Sequence, residues 1–265
     1  MKPISVPVLV VLWLFLGLSP QSSHAQSWQV HASDHFQVFF AEDSAYAVQV
    51  SRTAERLYHR LQVELGFDRA VKKHHLFWLW KDRCRIYIYR NRAEYLAATG
   101  APDWSSGFVK SRVRIVSSFH QAETFLESVL PHEVAHVMFR ELVGYDNPRV
   151  PKWLDEGVAQ FAETLDCDLM SDPMVERVAR GIYLPLSDLS DVQLRWSDNE
   201  TARLFYDEAE SLVRFLLRRY GSGRFVEFCS NLRVGYSVER ALSLVTGSSL
   251  ASLQDLEEAW LRSFR

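Results

Sequence analysis

The sequence predicts an α+β fold in which a mixed first lobe, holding a small sheet, meets a mainly helical second lobe across a shared cleft. Strand-period segments occur in the first half only, at Phe36–Phe40, Cys84–Tyr89 and 108–117. Helix-period apolar stripes punctuated by Gly221, Gly223, Gly235 and Gly247 fill the second half. No repeat, low-complexity tract or Pro/Gly-rich linker divides the two. With 265 residues, 48% hydrophobic and 13% aromatic, the chain has apolar material for one sizeable core or two closely packed lobes.

The first element is a targeting segment. Met1-Lys2-Pro3 precedes an uncharged apolar run over residues 4–18 and a polar stretch ending Ser23-His24-Ala25, with small residues where a signal peptidase reads. A run of about 15 apolar residues falls short of the ~20 that cross a bilayer. The expected organisation is a signal peptide over 1–25, an N-terminal α+β lobe over 26–145 and a helical lobe over 146–265. The mature protein is expected to be exported, periplasmic or secreted, with no stable membrane insertion after cleavage. Losing Lys2 takes the formal charge from -3 to -4. The Lys and Arg residues are dispersed, and the densest cluster, 83–92, alternates with Ile86, Tyr87, Ile88 and Tyr89, which argues against nucleic acid as a partner. Cys84, Cys167 and Cys229 lie far apart without C-x-x-C spacing, leaving one disulfide or buried free thiols as readings.

The Phe36–Phe40 strand leads into a helix over 44–65, a strand at Cys84–Tyr89 and a strand over 108–117. The alternation of the last is imperfect and suits a sheet edge with one wet face, able near Arg112 to Val116 to take an extended substrate by strand addition or to serve as a plain structural strand. A helix over 128–142 follows, with Ser128 as N-cap, Pro131 in its first turn and Gly144 past its end. Pro151 opens another helix with an apolar stripe of Trp153, Leu154, Val158 and Phe161. Helices over 204–220, 224–232, 237–244 and 252–264 complete the chain.

Chemistry concentrates in His132-Glu133-Val134-Ala135-His136. Two imidazoles four residues apart on a helix aim at one ion, and the intervening Glu133 can take a proton from water and pass it to a leaving amine. The alternative is a helix with two ordinary histidines and a solvated Glu. Val129, Leu130, Val134, Ala135, Val137 and Met138 surround the motif, and a metal satisfies polar groups in such a buried segment. Downstream, Asp155, Glu156 and Glu163 share one helix. Glu156 is read as the third ligand. Glu163, seven residues on and on nearly the same face, is placed either to accept the second N–H of a ligating histidine or to be a solvated residue. Asp155, rotated by about 100° from Glu156, is read as a surface or cap residue.

H-E-V-A-H followed, with 19 residues between His136 and Glu156, by W-L-D-E-G-V-A-Q-F-A-E resembles the gluzincin metallopeptidases. The W-L-x-E-G-x-A pattern is shared by aminopeptidase N-type enzymes and the smaller MA-like exported peptidases. The resemblance implies a zincin-like fold, one zinc ion per chain on His132, His136 and Glu156, Glu133 as general base, and Glu163 supporting a ligand. The stretch 205–216 followed by Tyr220-Gly221 is similar to the next helix of the MA-like group, which implies Tyr206 as a hydrogen-bond donor to the oxyanion; a core tyrosine is the other reading. The G-x-M-E-N segment that grips a free N-terminus is absent from 107–120, so exopeptidase action is not supported, and the N-E-x-x-S-D form of the thermolysin helix is missing too. The resemblance covers roughly residues 107–265.

The expected activity is therefore hydrolysis of peptide or protein substrates at internal peptide bonds, with zinc and Glu133 activating water. Two alternatives stand beside it: a non-catalytic, zinc-containing envelope-binding module, and a zinc hydrolase of a non-peptide amide. His74-His75 and Phe77-Trp78-Leu79-Trp80 read as core packing or as an exposed patch, and His120 as a loop residue or a visitor to the cleft.

Overall fold

A computed structural model describes residues 27–68, 78, 82–165, 172, 174–191 and 199–265. The expectations for residues 1–25, Cys167, His74, His75 and the aromatic run other than Trp78 lie outside them. Among the described residues no helix is long and apolar enough to cross a membrane.

The architecture is α+β, a five-stranded mixed sheet followed by a mostly helical second half. Strand β1 (Gln29–Ala32) forms an antiparallel hairpin with β2 (Phe36–Phe40). Helix α1 (Ser44–Glu64) then leads towards β3 (Cys84–Tyr89), which lies parallel to β2. After α2 (Arg92–Thr99) come β4 (Phe108–Lys110) and β5 (Ile115–Phe119), an antiparallel pair whose β5 lies parallel to β3. The sheet order is β1-β2-β3-β5-β4, so β4 is an edge.

Period-two patterning explains the faces. Phe36, Val38, Phe40, Cys84, Ile86, Ile88 and Val116 are buried with Ala47, Val50, Ala54, Leu57 and Leu61 of α1. Each fully buried large aliphatic or aromatic side chain contributes about 1.5–3 kcal/mol. On the other face Phe39 stacks on its register partner Tyr87 at 4.6 Å, and Trp28 meets Tyr87 and Tyr89 edge-on. Asp43 caps α1 by accepting the Tyr46 N–H, and His120, in the turn after β5, lies 3.0 Å from the same carboxylate. His120 is thus a loop residue at a helix cap. Trp78 is core, 1% exposed, its indole donating to buried Glu141 at 2.6 Å.

The single strand expected over 108–117 is corrected to a hairpin. A short 3-10 turn at Ser111–Val113 and a left-handed Arg114 (φ 49°) reverse the chain, so β4 takes the edge and β5 the interior, and the substrate-binding edge expected near Arg112 to Val116 falls instead on a turn and an interior strand. Arg114 is held there by Glu141, which also accepts from Trp78 and Tyr145.

The second half begins with one wide π turn at Phe125–Val129 and helix α3 (Leu130–Val143), which ends at Gly144 with φ 94°. Helix α4 (Lys152–Glu163) buries Trp153, Leu154, Val158 and Phe161. Two short helices, α5 (Met174–Ala179) and α6 (Leu186–Asp191), precede α7 (Asn199–Arg233), which is two helices joined across non-helical Gly221; α8 (Val238–Thr246) and α9 (Leu253–Arg262) follow. Helices α4 and α7 touch at backbone level. A Cβ on Gly157 would lie 2.3 Å from the Ala209 carbonyl oxygen, so only glycine permits this approach. Cys84 and Cys229 are buried free thiols, pushed up in pKa by burial.

Candidate active site

Helix α3 is apolar around most of its surface: Leu130, Val134, Ala135, Val137, Met138, Phe139 and Leu142 are all buried. His132 and His136, one turn apart, project from it toward α4 with Nε2 atoms 3.1 Å from each other. Glu156 of α4 brings Oε2 to 3.7 Å from both nitrogens. The sequence-predicted ligands are therefore gathered by two crossing helices, not by chain proximity.

Each imidazole is backed by a carboxylate. His132 Nδ1 lies 2.8 Å from Glu163 Oε1, and the other Glu163 oxygen accepts from Ser128. His136 Nδ1 lies 2.9 Å from Asp155 Oδ1. An ionised carboxylate accepts only, so each Nδ1 carries the proton and each Nε2 presents its lone pair. Two lone pairs facing at 3.1 Å, with a carboxylate oxygen beside both, repel unless a cation lies among them. This donor set fits zinc: at metal–nitrogen distances of about 2.0–2.1 Å, tetrahedral ligands are separated by about 3.3 Å.

Glu163 stands where the sequence placed it. Asp155 does not. The reading of Asp155 as a surface or cap residue is corrected: its side chain is 19% exposed and is held by His136 and, through Nε and Nη2, by Arg140, whose Nη1 in turn donates to Ser111. Burial opposes the Asp155 charge, but His136 and Arg140 overcome it and hold the carboxyl at about 2. Residues 155 and 156, about 100° apart around α4, reach the back and the front of the same imidazole. Removing Asp155 leaves that N–H and the Arg140 guanidinium without their acceptor. Asp155→Ala is expected to weaken zinc binding about 10–100-fold, as measured by competition with a chromophoric chelator; unchanged affinity would mean His136 is oriented by packing alone.

Ser128, expected as N-cap, is instead the donor to Glu163, because the π turn swings it toward α4 and the cap position falls to Val129 without a side-chain bond. Only tertiary contact could reveal that role. Burial raises the pKa of Glu133, against the opposing pull of His136, His132 and Arg140. Gly107, immediately before edge strand β4, passes so close that a Cβ there would meet Val129 Cγ1 at 2.2 Å and Glu133 Oε1 at 3.4 Å. The edge strand thus begins beside the Glu133 carboxylate. Burial, with the charges of Glu156 and Glu163, pushes the pKa of the Tyr206 phenol of α7 upward.

Residues 78–263 match the sequence profile of the Peptidase MA superfamily. The chain belongs to that superfamily. The matched span contains the whole of α3, α4 and α7, hence every residue of the His132–His136–Glu156 group. Membership in the Peptidase MA superfamily makes the chain a zinc metallopeptidase by family, and the zincin-type arrangement of a mixed sheet followed by helices agrees with it. No curated protein matches the sequence.

Proposed function

We propose that this chain is an exported zinc endopeptidase that binds substrate along strand β4 and cleaves it with Glu133 as general base. One observation carries the reading: two carboxylate-backed imidazoles turn their lone pairs, together with Glu156, onto one point, and both imidazoles act electrostatically on Glu133. His132, His136 and Glu156 would hold one zinc ion, which when bound supplies Lewis-acid activation of water and of the scissile carbonyl.

The chain's own residues do the rest. Glu133 accepts the proton of the attacking water and hands it to the leaving amine nitrogen. Glu163 and Asp155 hold the two imidazoles in the tautomer that leaves Nε2 unprotonated. Tyr206 donates its phenolic hydrogen to the developing oxyanion. Strand β4, an edge of the sheet among the described residues that begins next to Glu133, supplies backbone groups to an extended peptide, fixing the scissile bond over the base. Export is supported by the charged, apolar and small-residue order of the first 25 residues.

The test uses peptides blocked at both termini, offered to the purified protein. Internal cleavage is expected, abolished by a strong zinc chelator and restored by about one equivalent of zinc. Cleavage confined to peptides with a free terminus would refute endopeptidase action, and cleavage indifferent to the chelator would refute the zinc mechanism.

A further inference from the structure

One other trio among the described residues brings metal-capable donors together: one donor atom from each of His35, Glu55 and His59 lies within 4.8 Å of the others. It shares no residue with the catalytic group and falls outside the span that matches the superfamily. We propose that His35, Glu55 and His59 form a second, independent site for a divalent transition-metal ion that clamps the β1–β2 turn to helix α1.

The trio is assembled by the same logic as the catalytic ligands. Glu55 and His59 are four residues apart on α1, neighbours on one helix face. His35 comes from the turn before β2, which is closed by the Ser33 N–H donating to the Phe36 carbonyl at 3.0 Å. Three contacts, two of them at the ring, fix His35. The His35 backbone N–H donates to Glu55 Oε1 at 2.8 Å, Nδ1 lies 2.7 Å from Glu55 Oε2, and the ring stacks on Tyr58 at 4.1 Å. The His59 ring stands nearly perpendicular to it, at 88° and 5.3 Å between centroids.

Two imidazoles and one carboxylate favour zinc, nickel or copper over magnesium or calcium, whose ligands are all oxygen. His35 and Glu55 are 15% and 20% exposed, and His59 is exposed, so the site opens to solvent on one side and water can complete the coordination. Bound there, the ion ties residue 35 to residues 55 and 59 and holds the first hairpin against α1. The 2.7 Å contact between Nδ1 and Glu55 Oε2 is a hydrogen bond, so an ion bound through Nδ1 displaces that proton to solvent, while the His35 backbone N–H keeps Glu55 in place.

The experiment counts ions on the tag-free chain. After chelator stripping and equilibrium dialysis against zinc, the expected stoichiometry is two per wild-type chain, one for His59→Ala and one for a His132→Ala/His136→Ala variant. His59→Ala is expected to leave peptide hydrolysis unchanged, and His35→Gln, made in parallel, is expected to lose the same ion. With copper, a second signal showing nitrogen coupling should appear in wild type and vanish in His59→Ala. A single ion per wild-type chain, or a second ion that survives both His59→Ala and His35→Gln, would overturn the proposal and show the trio to be a hydrogen-bonded clamp alone. Because the count does not require turnover, an inactive peptidase and an absent second site give different results.

Discussion

Glu133→Gln, in a chain that also lacks His59 so that the N-terminal trio does not contribute, is expected to leave zinc at about one per chain while lowering peptide hydrolysis by roughly 10²–10⁴-fold, the range of a lost general acid–base group. The two halves of that result rest on different observations. Zinc should stay because the converging donors are His132 Nε2, His136 Nε2 and a Glu156 oxygen, with Glu133 outside the set. Glutamine keeps the size of the side chain and so preserves the close approach to Gly107. It cannot take a proton from water. The measurement pairs metal content with kcat/KM on a blocked peptide. Equal rates for the two proteins would dismiss Glu133 as base, whereas loss of the metal would make it part of the coordination shell.

Glu156→Ala should act on the other term, emptying the site on dialysis and abolishing hydrolysis together. Without Glu156 the two imidazoles keep their carboxylate partners but offer only two neutral donors, and the ion loses its anionic ligand. The effect should exceed that of Asp155→Ala, which disturbs only the orientation of His136. Thermal unfolding gives a second readout. With free zinc at 100 times its Kd, wild type should gain about 2.7 kcal/mol over the stripped protein, and Glu156→Ala should gain nothing from that site. Retention of a full equivalent by Glu156→Ala, in a chain that also lacks His59 so that the N-terminal trio does not contribute, would defeat the ligand assignment.

Much of this site was legible in the sequence because its ingredients are local. The spacing of His132 and His136 becomes proximity through the helical repeat alone, and Trp153, Leu154, Val158 and Phe161 declare the buried face of α4. The strands at Phe36–Phe40 and Cys84–Tyr89 were equally readable, since alternation with one buried face leaves one register. Strand β1 was not, its residues being mostly exposed and carrying little alternation. The hairpin at 108–119 escaped for a related reason: its reversal depends on Arg114 adopting a left-handed conformation that no glycine announces, stabilised by Glu141 from a distant helix.

By itself the sequence determined the helix that carries two ligands and a base, the helix that carries the third, and the face of each that must be buried, because those follow from periodicity along a single segment. Only the tertiary structure decided what stands behind each ligand. Asp155 was misread by supposing that a helix has one functional face, when crossing helices let neighbouring residues reach opposite sides of one imidazole. Ser128, Arg140 and Gly107 gained their places from contacts between segments, and so did the meeting of His35 with Glu55 and His59. Such contacts depend on the crossing of elements in space, and no pattern within one element records them.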